Sequence, residues 1–453
     1  MNTSRFILAL IMLLAPSAGV SAQVAHPAPT PSLPAPARVS PFPSEGDATL
    51  LSDDLLPRIE DPTIGHQGVL VETLEGLTVR EQAPDAAFNP ASAVKLATAL
   101  AALRTFGPKH RFATTFWITG SFDKATGTVT GNLIVSGRDP SFHDEHAVAV
   151  AREMNQLGIK TVTGDLVVAS RFTMNFSPSS QRSGERLYDT LDSTRRPTPA
   201  TRAWSASRVA LSDSEGQRAA PSVVVMGAVY VDSVPKNARA ISTHYSPELT
   251  HVLKVLLCYS NNFMAERLGD MLGGAQGVAR VVNSELGMGG GEVRLASTSG
   301  LGTNRVTPRQ MLKVYRALLD ELHENDLKAA DIMPVAGIDP GTLQKRYAAS
   351  PGRGSIIGKT GTLARTDGGA SALVGQLRAR NGDTLLFVIL DQRGSVVRFR
   401  RWQDALVAEL QNERGGPEPF TYSPQTLAIR ISASEFDSAR ASTLDEYEDA
   451  PNQ

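Results

Sequence analysis

Residues 89–103 read Asn89-Pro90-Ala91-Ser92-Ala93-Val94-Lys95-Leu96-Ala97-Thr98-Ala99-Leu100-Ala101-Ala102-Leu103. From Ser92 onward Ala and Leu dominate, Leu96, Leu100 and Leu103 recur at helical spacing, and Pro90 stands where a helix begins. The pattern predicts a core helix starting near Ser92. Ser92 and Lys95 are three residues apart, so hydroxyl and amine share one face of the first turn, within reach of each other. A serine hydroxyl is a weak nucleophile until a neighbouring base takes its proton. A lysine can be that base only if burial or a second cation disfavours its charged form.

The chain has 453 residues, enough for two or more domains, with an ordinary 41% hydrophobic content. A formal net charge of -1 leaves no basic excess for neutralising phosphates, which argues against a nucleic-acid partner. Arg5 precedes an apolar run from Phe6 to Pro16, followed by small residues ending Val20-Ser21-Ala22. That is the layout of a signal peptide cleaved after Ala22, so the chain is expected to be exported to the periplasm or the cell wall outside. The run is too short to span a membrane comfortably, so no span is expected after cleavage. Cys258 is the only cysteine, which rules out an intramolecular disulfide and a lipid at the cleavage site. It lies in an apolar helical run and reads as a core residue.

Residues 23–46, rich in Pro, Ala and Ser, read as a linker. Gly68 to Glu72 and Leu77 to Arg80 read as two strands around a Glu75-Gly76 turn. A different texture occupies 112–245, read as a domain inserted after the Ser92 helix: strands over 112–119, 128–136 and 165–168, a helix over 146–157, surface loops over 171–220, and an apolar β-rich stretch over 221–231. Ser246-Pro247-Glu248 signals a helix N-terminus, with Ser246 as cap, for a helix through Cys258. Polar Tyr259-Ser260-Asn261-Asn262 makes a corner before a second helix over 263–272, and Thr307-Pro308 opens another over 309–322. Strands over 355–362, 371–378 and 384–390, joined by short turns, indicate an antiparallel sheet, closed by a helix over 398–411. The expected catalytic domain is therefore 47–111 plus 246–412. Residues 413–453 are polar without a helical stripe and read as a disordered tail.

Ser-x-x-Lys alone is a weak signal: about two are expected by chance in a chain of this length. Three occur, but the pair at Ser121 falls in an expected hairpin turn and the one at Ser233 contains a proline, so only Ser92 and Lys95 are set on a helix face. Ser260-Asn261-Asn262 is the single Ser-x-Asn and Lys359-Thr360-Gly361 the single Lys-Thr-Gly. Ser-x-x-Lys, Ser-x-Asn and Lys-Thr-Gly, in that order on helix start, corner and strand, are the signature of penicillin-binding proteins and class A β-lactamases.

On these motifs the chain resembles a low-molecular-mass class C penicillin-binding protein, the D-alanyl-D-alanine carboxypeptidase and endopeptidase family S13. The resemblance extends to Gly131 to Val135 with Asp139-Pro140-Ser141, Gly164 to Val168, Ser299-Gly300-Leu301, and Pro334 to Gly337 with Gly341-Thr342-Leu343. It covers about residues 60–411, although the interval between Ser92 and Ser260 is short for a family that often carries two inserted domains. The resemblance implies an α/β (α+β) transpeptidase-like fold, an antiparallel sheet flanked by helices with the Ser92 helix in the middle and a smaller inserted domain. It implies that Ser92 attacks the carbonyl of the penultimate D-alanine of a peptidoglycan stem peptide. Lys95 accepts the proton, helped by Lys359 and burial, and Ser260 relays it to the departing D-alanine. Asn262 holds the substrate peptide group and Lys95, while Lys359 and Thr360 bind the terminal carboxylate. Gly361 leaves room for substrate as an added strand, and the amides of Ser92 and Thr362 form the oxyanion hole. β-Lactams would inhibit covalently, and no cofactor is implied.

Taken singly, Lys359 could be a solvated strand residue, Asn262 a helix cap and Ser260 a turn residue; the coincidence of all three motifs favours the catalytic reading. His110, His143, His146, His244, His251 and His323 show no metal-ligand spacing, so no metal is expected. Glu266 and Arg267 read as structural. One rival is a β-lactamase, which needs a deacylating glutamate for which no loop stands out. The other is a non-catalytic peptidoglycan-binding protein, for which Lys95 beside Ser92 would be superfluous.

Overall fold

A computed structural model describes residues 65–210, 220–287, 293–348, 351–427, 430 and 433–438. The expected leader and linker lie outside the described residues. β1 (His66–Thr73) and β2 (Thr78–Gln82) form the expected antiparallel hairpin. Ser92 is not in the α-helix itself. A 3-10 turn, Ala91–Val94, is closed by the Ala93 N–H on Pro90 O, and α1 (Lys95–Phe106) starts three residues after Ser92. All nine residues from Lys95 to Leu103 are buried, as an Ala-Leu helix without a polar face must be.

The stretch expected as an insertion contains β3 (Ala113–Ile118), β4 (Ser121–Asp123), β5 (Thr128–Thr130), β6 (Leu133–Gly137), α2 (Asp144–Gln156), β7 (Thr161–Val162) and β8 (Leu166–Val168). α3 (Ser180–Leu191) and α4 (Thr198–Ala210) follow where surface loops were expected. The core face of α3 combines small residues, Ser183, Gly184 and Thr190, with Leu187 and Leu191. β9 (Val224–Val225), β10 (Val229–Val231) and β11 (Arg239–Tyr245) complete the stretch.

Next come α5 (Leu249–Tyr259), α6 (Asn262–Met271), α7 (Gly274–Leu286), α8 (Pro308–Glu324), α9 (Ala329–Ile332), β12 (Ile356–Leu363), β13 (Ala370–Arg378), β14 (Thr384–Gln392), α10 (Val396–Asn412) and β15 (Glu435–Ser438). Glu248, not Ser246, is the N-cap of α5. Ser246 is instead fixed at the base of the stretch: its Oγ accepts the Phe112 N–H at 2.8 Å and its N–H donates to Phe112 O at 2.9 Å. The two ends of 112–245 thus meet.

β12-β13-β14-β1-β2 is a five-stranded antiparallel sheet. One face packs Val69, Leu373, Leu377, Phe387 and Ile389 against Phe399, Trp402, Leu406 and Leu410 of α10. The alternate residues face α8, where Tyr315 donates to Gln376 at 3.2 Å. α1 packs among α5, α6, α7 and α8. A six-stranded sheet, β10-β8-β6-β3-β11-β15, and a four-stranded one, β4-β5-β7-β9, share a separate core that includes Phe116, Phe142, Met154 and Leu187. The fold is α/β, an antiparallel sheet covered by helices on both faces.

The expectation of a disordered tail over 413–453 is corrected for its described part. β15 pairs antiparallel with β11, Phe436 packs on the second core, and the Phe420 N–H donates to Gly354 O at 2.9 Å. The alternation Glu435, Phe436, Asp437, Ser438 is too short to announce a strand, but it meets an open sheet edge.

Candidate active site

The 3-10 turn decides the first contact. Residues i and i+3 eclipse in such a turn, so the Lys95 side chain rises over Ser92 and Nζ lies 3.0 Å from Ser92 Oγ. Ser92 is half-buried and Lys95 fully buried. Lys95 Nζ also donates to Asn262 Oδ1 at 2.7 Å and to Ser299 O at 2.6 Å, both neutral acceptors.

The Ser-x-Asn corner explains why those residues sit at that spacing. Ser260 ends α5 in the left-handed conformation, φ 56°, and the Asn261 side chain accepts the Met264 N–H at 2.9 Å to cap α6. The abrupt turn sends the Asn262 amide to Lys95 and the Ser260 hydroxyl to Lys359, whose Nζ donates to it at 2.9 Å. Lys359 is fully buried in β12 and donates also to Thr360 O at 2.6 Å. At Gly361 a Cβ would come within 2.6 Å of Pro90 O, so the strand passes the Ser92 turn at a distance that only glycine permits. The Thr362 hydroxyl accepts from Arg400 at 2.8 Å. The eight expected residues therefore form two hydrogen-bonded sets, Ser92–Lys95–Asn262 and Ser260–Lys359, with Thr360, Gly361 and Thr362 along the strand beside them.

Several contributors carry no signal that spacing could reveal. The Ser299 carbonyl binds Lys95, and Glu266 holds that loop by accepting the Ser299 N–H at 3.0 Å and the Thr298 hydroxyl at 2.8 Å. Gly300, φ +90°, presses the loop against the turn: a Cβ there would lie 2.0 Å from Ala91 O. Ala91 itself has φ +46°, a region costly for a residue with a side chain. Asn89 holds it there, accepting the Ala91 N–H at 3.0 Å and donating to Gly302 O at 3.0 Å and Asp367 Oδ2 at 2.7 Å. Hydrogen bonds from Arg305, aided by Asn89, keep the Asp367 carboxyl below the usual carboxylate range. Behind the corner, burial pushes the Cys258 thiol up to about 12, consistent with a core residue.

The histidines differ from their sequence reading in one respect. Ligand atoms of His143, Glu145 and His146 lie within 4.8 Å of one another. His146 Nδ1 accepts the His143 N–H at 3.1 Å and His143 Nδ1 meets Ser141 O at 2.5 Å, so both rings take part in capping α2. Among the described residues, no helix is long and apolar enough to cross a membrane.

The sequence profile of the D-Ala-D-Ala carboxypeptidase 3 (S13) family matches residues 51–191 and 190–412, and the chain belongs to that family. It is 26% identical over 472 residues to a D-alanyl-D-alanine carboxypeptidase of Actinomadura sp., covering 82% of this chain and 86% of that one. Its fold matches a penicillin G-acylated predatory endopeptidase from Bdellovibrio bacteriovorus, with TM-score 0.68, 20% identity and 82% and 99% of the two chains covered. It also matches penicillin binding protein 4 of Haemophilus influenzae complexed with a β-lactam, with TM-score 0.57, 22% identity and 79% and 97% covered.

Proposed function

We propose that the chain is a serine-type D-alanyl-D-alanine carboxypeptidase, with endopeptidase action on the same bond type, working on peptidoglycan stem peptides through an acyl-enzyme on Ser92. The observation that carries this reading is the Lys95 Nζ on Ser92 Oγ at 3.0 Å, with Asn262 Oδ1 and Ser299 O holding the same amine in place. Lys95 takes the hydroxyl proton as Ser92 attacks the carbonyl of the penultimate D-alanine. Negative charge develops on that oxygen between the backbone amides of Ser92 and Thr362, each such donor being worth about 3 kcal/mol.

Ser260, held by Lys359, hands a proton to the departing D-alanine. Lys359 and the Thr360 hydroxyl receive its carboxylate, and Asn262 orients the acyl peptide group. Water then releases the shortened stem. A β-lactam enters the first step as an acylating analogue and leaves slowly. The same reading makes 1–22 a signal peptide, 23–46 a linker and 112–245 a domain inserted into the catalytic domain, so the mature protein acts in the periplasm or at the wall outside the cell.

D-Alanine release from a stem pentapeptide ending in D-Ala-D-Ala tests the proposal. Release by the wild type, loss in Ser92→Ala, and a rise in KM when the terminal carboxylate is amidated are expected. Release that survives Ser92→Ala would reject the assignment.

A further inference from the structure

A cavity of about 290 Å³ lies where α6 meets the stretch 112–245, lined by Arg138, Arg171, Arg267 and Asp270. Arg138 follows β6, Arg171 follows β8 in a left-handed conformation of φ +77°, and Arg267 is on α6. Three guanidiniums face one carboxylate, leaving an excess of about two positive charges in one concavity. Arg267 pairs with Asp270 at 3.2 Å and lies 5.6 Å over the Phe263 ring, yet its Nε is buried without a hydrogen-bond partner. Arg138 and Arg171 make no ion pair among the described residues. Positive charge in excess of its one counter-charge repels itself, and an oxyanion in the cavity relieves that repulsion. Guanidinium forks match the two oxygens of a carboxylate or phosphate.

The cavity is separate from the acylation centre. Arg267 is five residues beyond Asn262, about 7.5 Å along α6 and about 140° around it, whereas Glu266 stays on the Asn262 face with the Ser299 loop. Phe176 of the stretch 112–245 meets Phe263 in the first turn of α6, 5.8 Å between ring centroids.

We propose that this arginine cavity is a second binding site, outside the acylation centre, for an oxyanion carried by the wall polymer on which Ser92 acts. It rests on the proposed function only for the identity of that polymer. Two sources share the chemistry: an acidic residue of the stem peptide, and a phosphate on a wall polymer.

Titration calorimetry at low salt on the Ser92→Ala protein separates them. The ligands are two peptides ending in D-Ala-D-Ala, differing only in a side-chain carboxylate or its carboxamide, and inorganic phosphate. The carboxylate peptide is expected to bind about tenfold more tightly than the carboxamide, with the difference lost in Arg171→Gln and in Arg267→Gln and diminished by salt. Phosphate binding that those substitutions abolish, with the two peptides binding alike, would support the site and assign the polymer phosphate as its source. Equal peptide affinities with no phosphate binding, or a preference that survives both substitutions, would overturn it. Arg171 is exposed, so its variant reads out even if Arg267→Gln disturbs folding. D-Alanine release from the carboxamide peptide by the wild type reports on the proposed function independently.

Discussion

Asp367 Oδ2 accepts the Asn89 amide at 2.7 Å while Asn89 Oδ1 takes the N–H of Ala91 at 3.0 Å, so a loop after β12 is coupled through one side chain to the residue preceding Ser92. Ala91 is in the left-handed region, and Asn89 is what pins it. Asn89→Ala should lower the acylation rate by about ten- to a hundredfold, and destabilise the fold by about 1–3 kcal/mol through the polar groups left behind. Stopped-flow acylation by a β-lactam and urea unfolding check both. Because the folded carboxyl of Asp367 is depressed, its contribution is complete above the ordinary carboxylate range and is lost as pH falls through the lower folded value.

Gly300→Ala should be worse than its size suggests. The residue has φ +90° and its Cβ would lie 2.0 Å from Ala91 O, so the Ser299 carbonyl has to leave Lys95 or the turn has to move. The expected result is a folded protein with acylation reduced at least a hundredfold; acylation within threefold of wild type would mean the loop does not position Lys95.

Lys254 and Asp339 form a fully buried pair at 2.7 Å beneath the corner, with Lys254 also donating to Ala330 O and Met333 O and Asp339 also accepting from Val335 N–H and the Tyr422 hydroxyl. Removing one partner strands a buried charge. Asp339→Ala should cost about 3–5 kcal/mol in urea unfolding, and the double change Lys254→Met with Asp339→Leu should cost less than either single change.

His244 is buried among Phe142, Phe436 and His146 with neither ring nitrogen hydrogen-bonded, and burial, then His146, holds its pKa well below the ordinary value. Its folded pKa is depressed, so the neutral ring's stability contribution is full above about pH 6.5 and declines as pH falls below that towards the folded value. His244→Phe should therefore flatten the loss of stability between pH 6.5 and 5, read by unfolding midpoints, without lowering stability at pH 7.5.

How much of this was legible in the sequence depends on range. The Ser92, Ser260 and Lys359 motifs carry their own chemistry in a fixed order, and the strands from 355 to 390 are short runs bounded by turns and buried on both faces. α1 starts three residues later than the Ala-Leu pattern predicts because the Ala91 conformation depends on Asn89 and on Gly300, 209 positions away from Ala91 in the chain. The loop reading of 171–220 misses α3 because three of its five buried positions, Ser183, Gly184 and Thr190, are small, and only Leu187 and Leu191 mark the face as apolar. β15 gains its strand only from the open edge of β11. The Asn89–Asp367–Arg305 clamp joins three segments whose residue types are individually commonplace.

Intact-mass spectrometry after brief exposure to benzylpenicillin tests the central claim most directly. The wild type should gain one persistent adduct that maps to the peptide containing Ser92, Ser92→Ala should gain none, and Lys95→Met should acylate at least a hundredfold more slowly. An adduct formed at full rate in Ser92→Ala, or wild-type rates in Lys95→Met, would contradict the assignment of nucleophile and base.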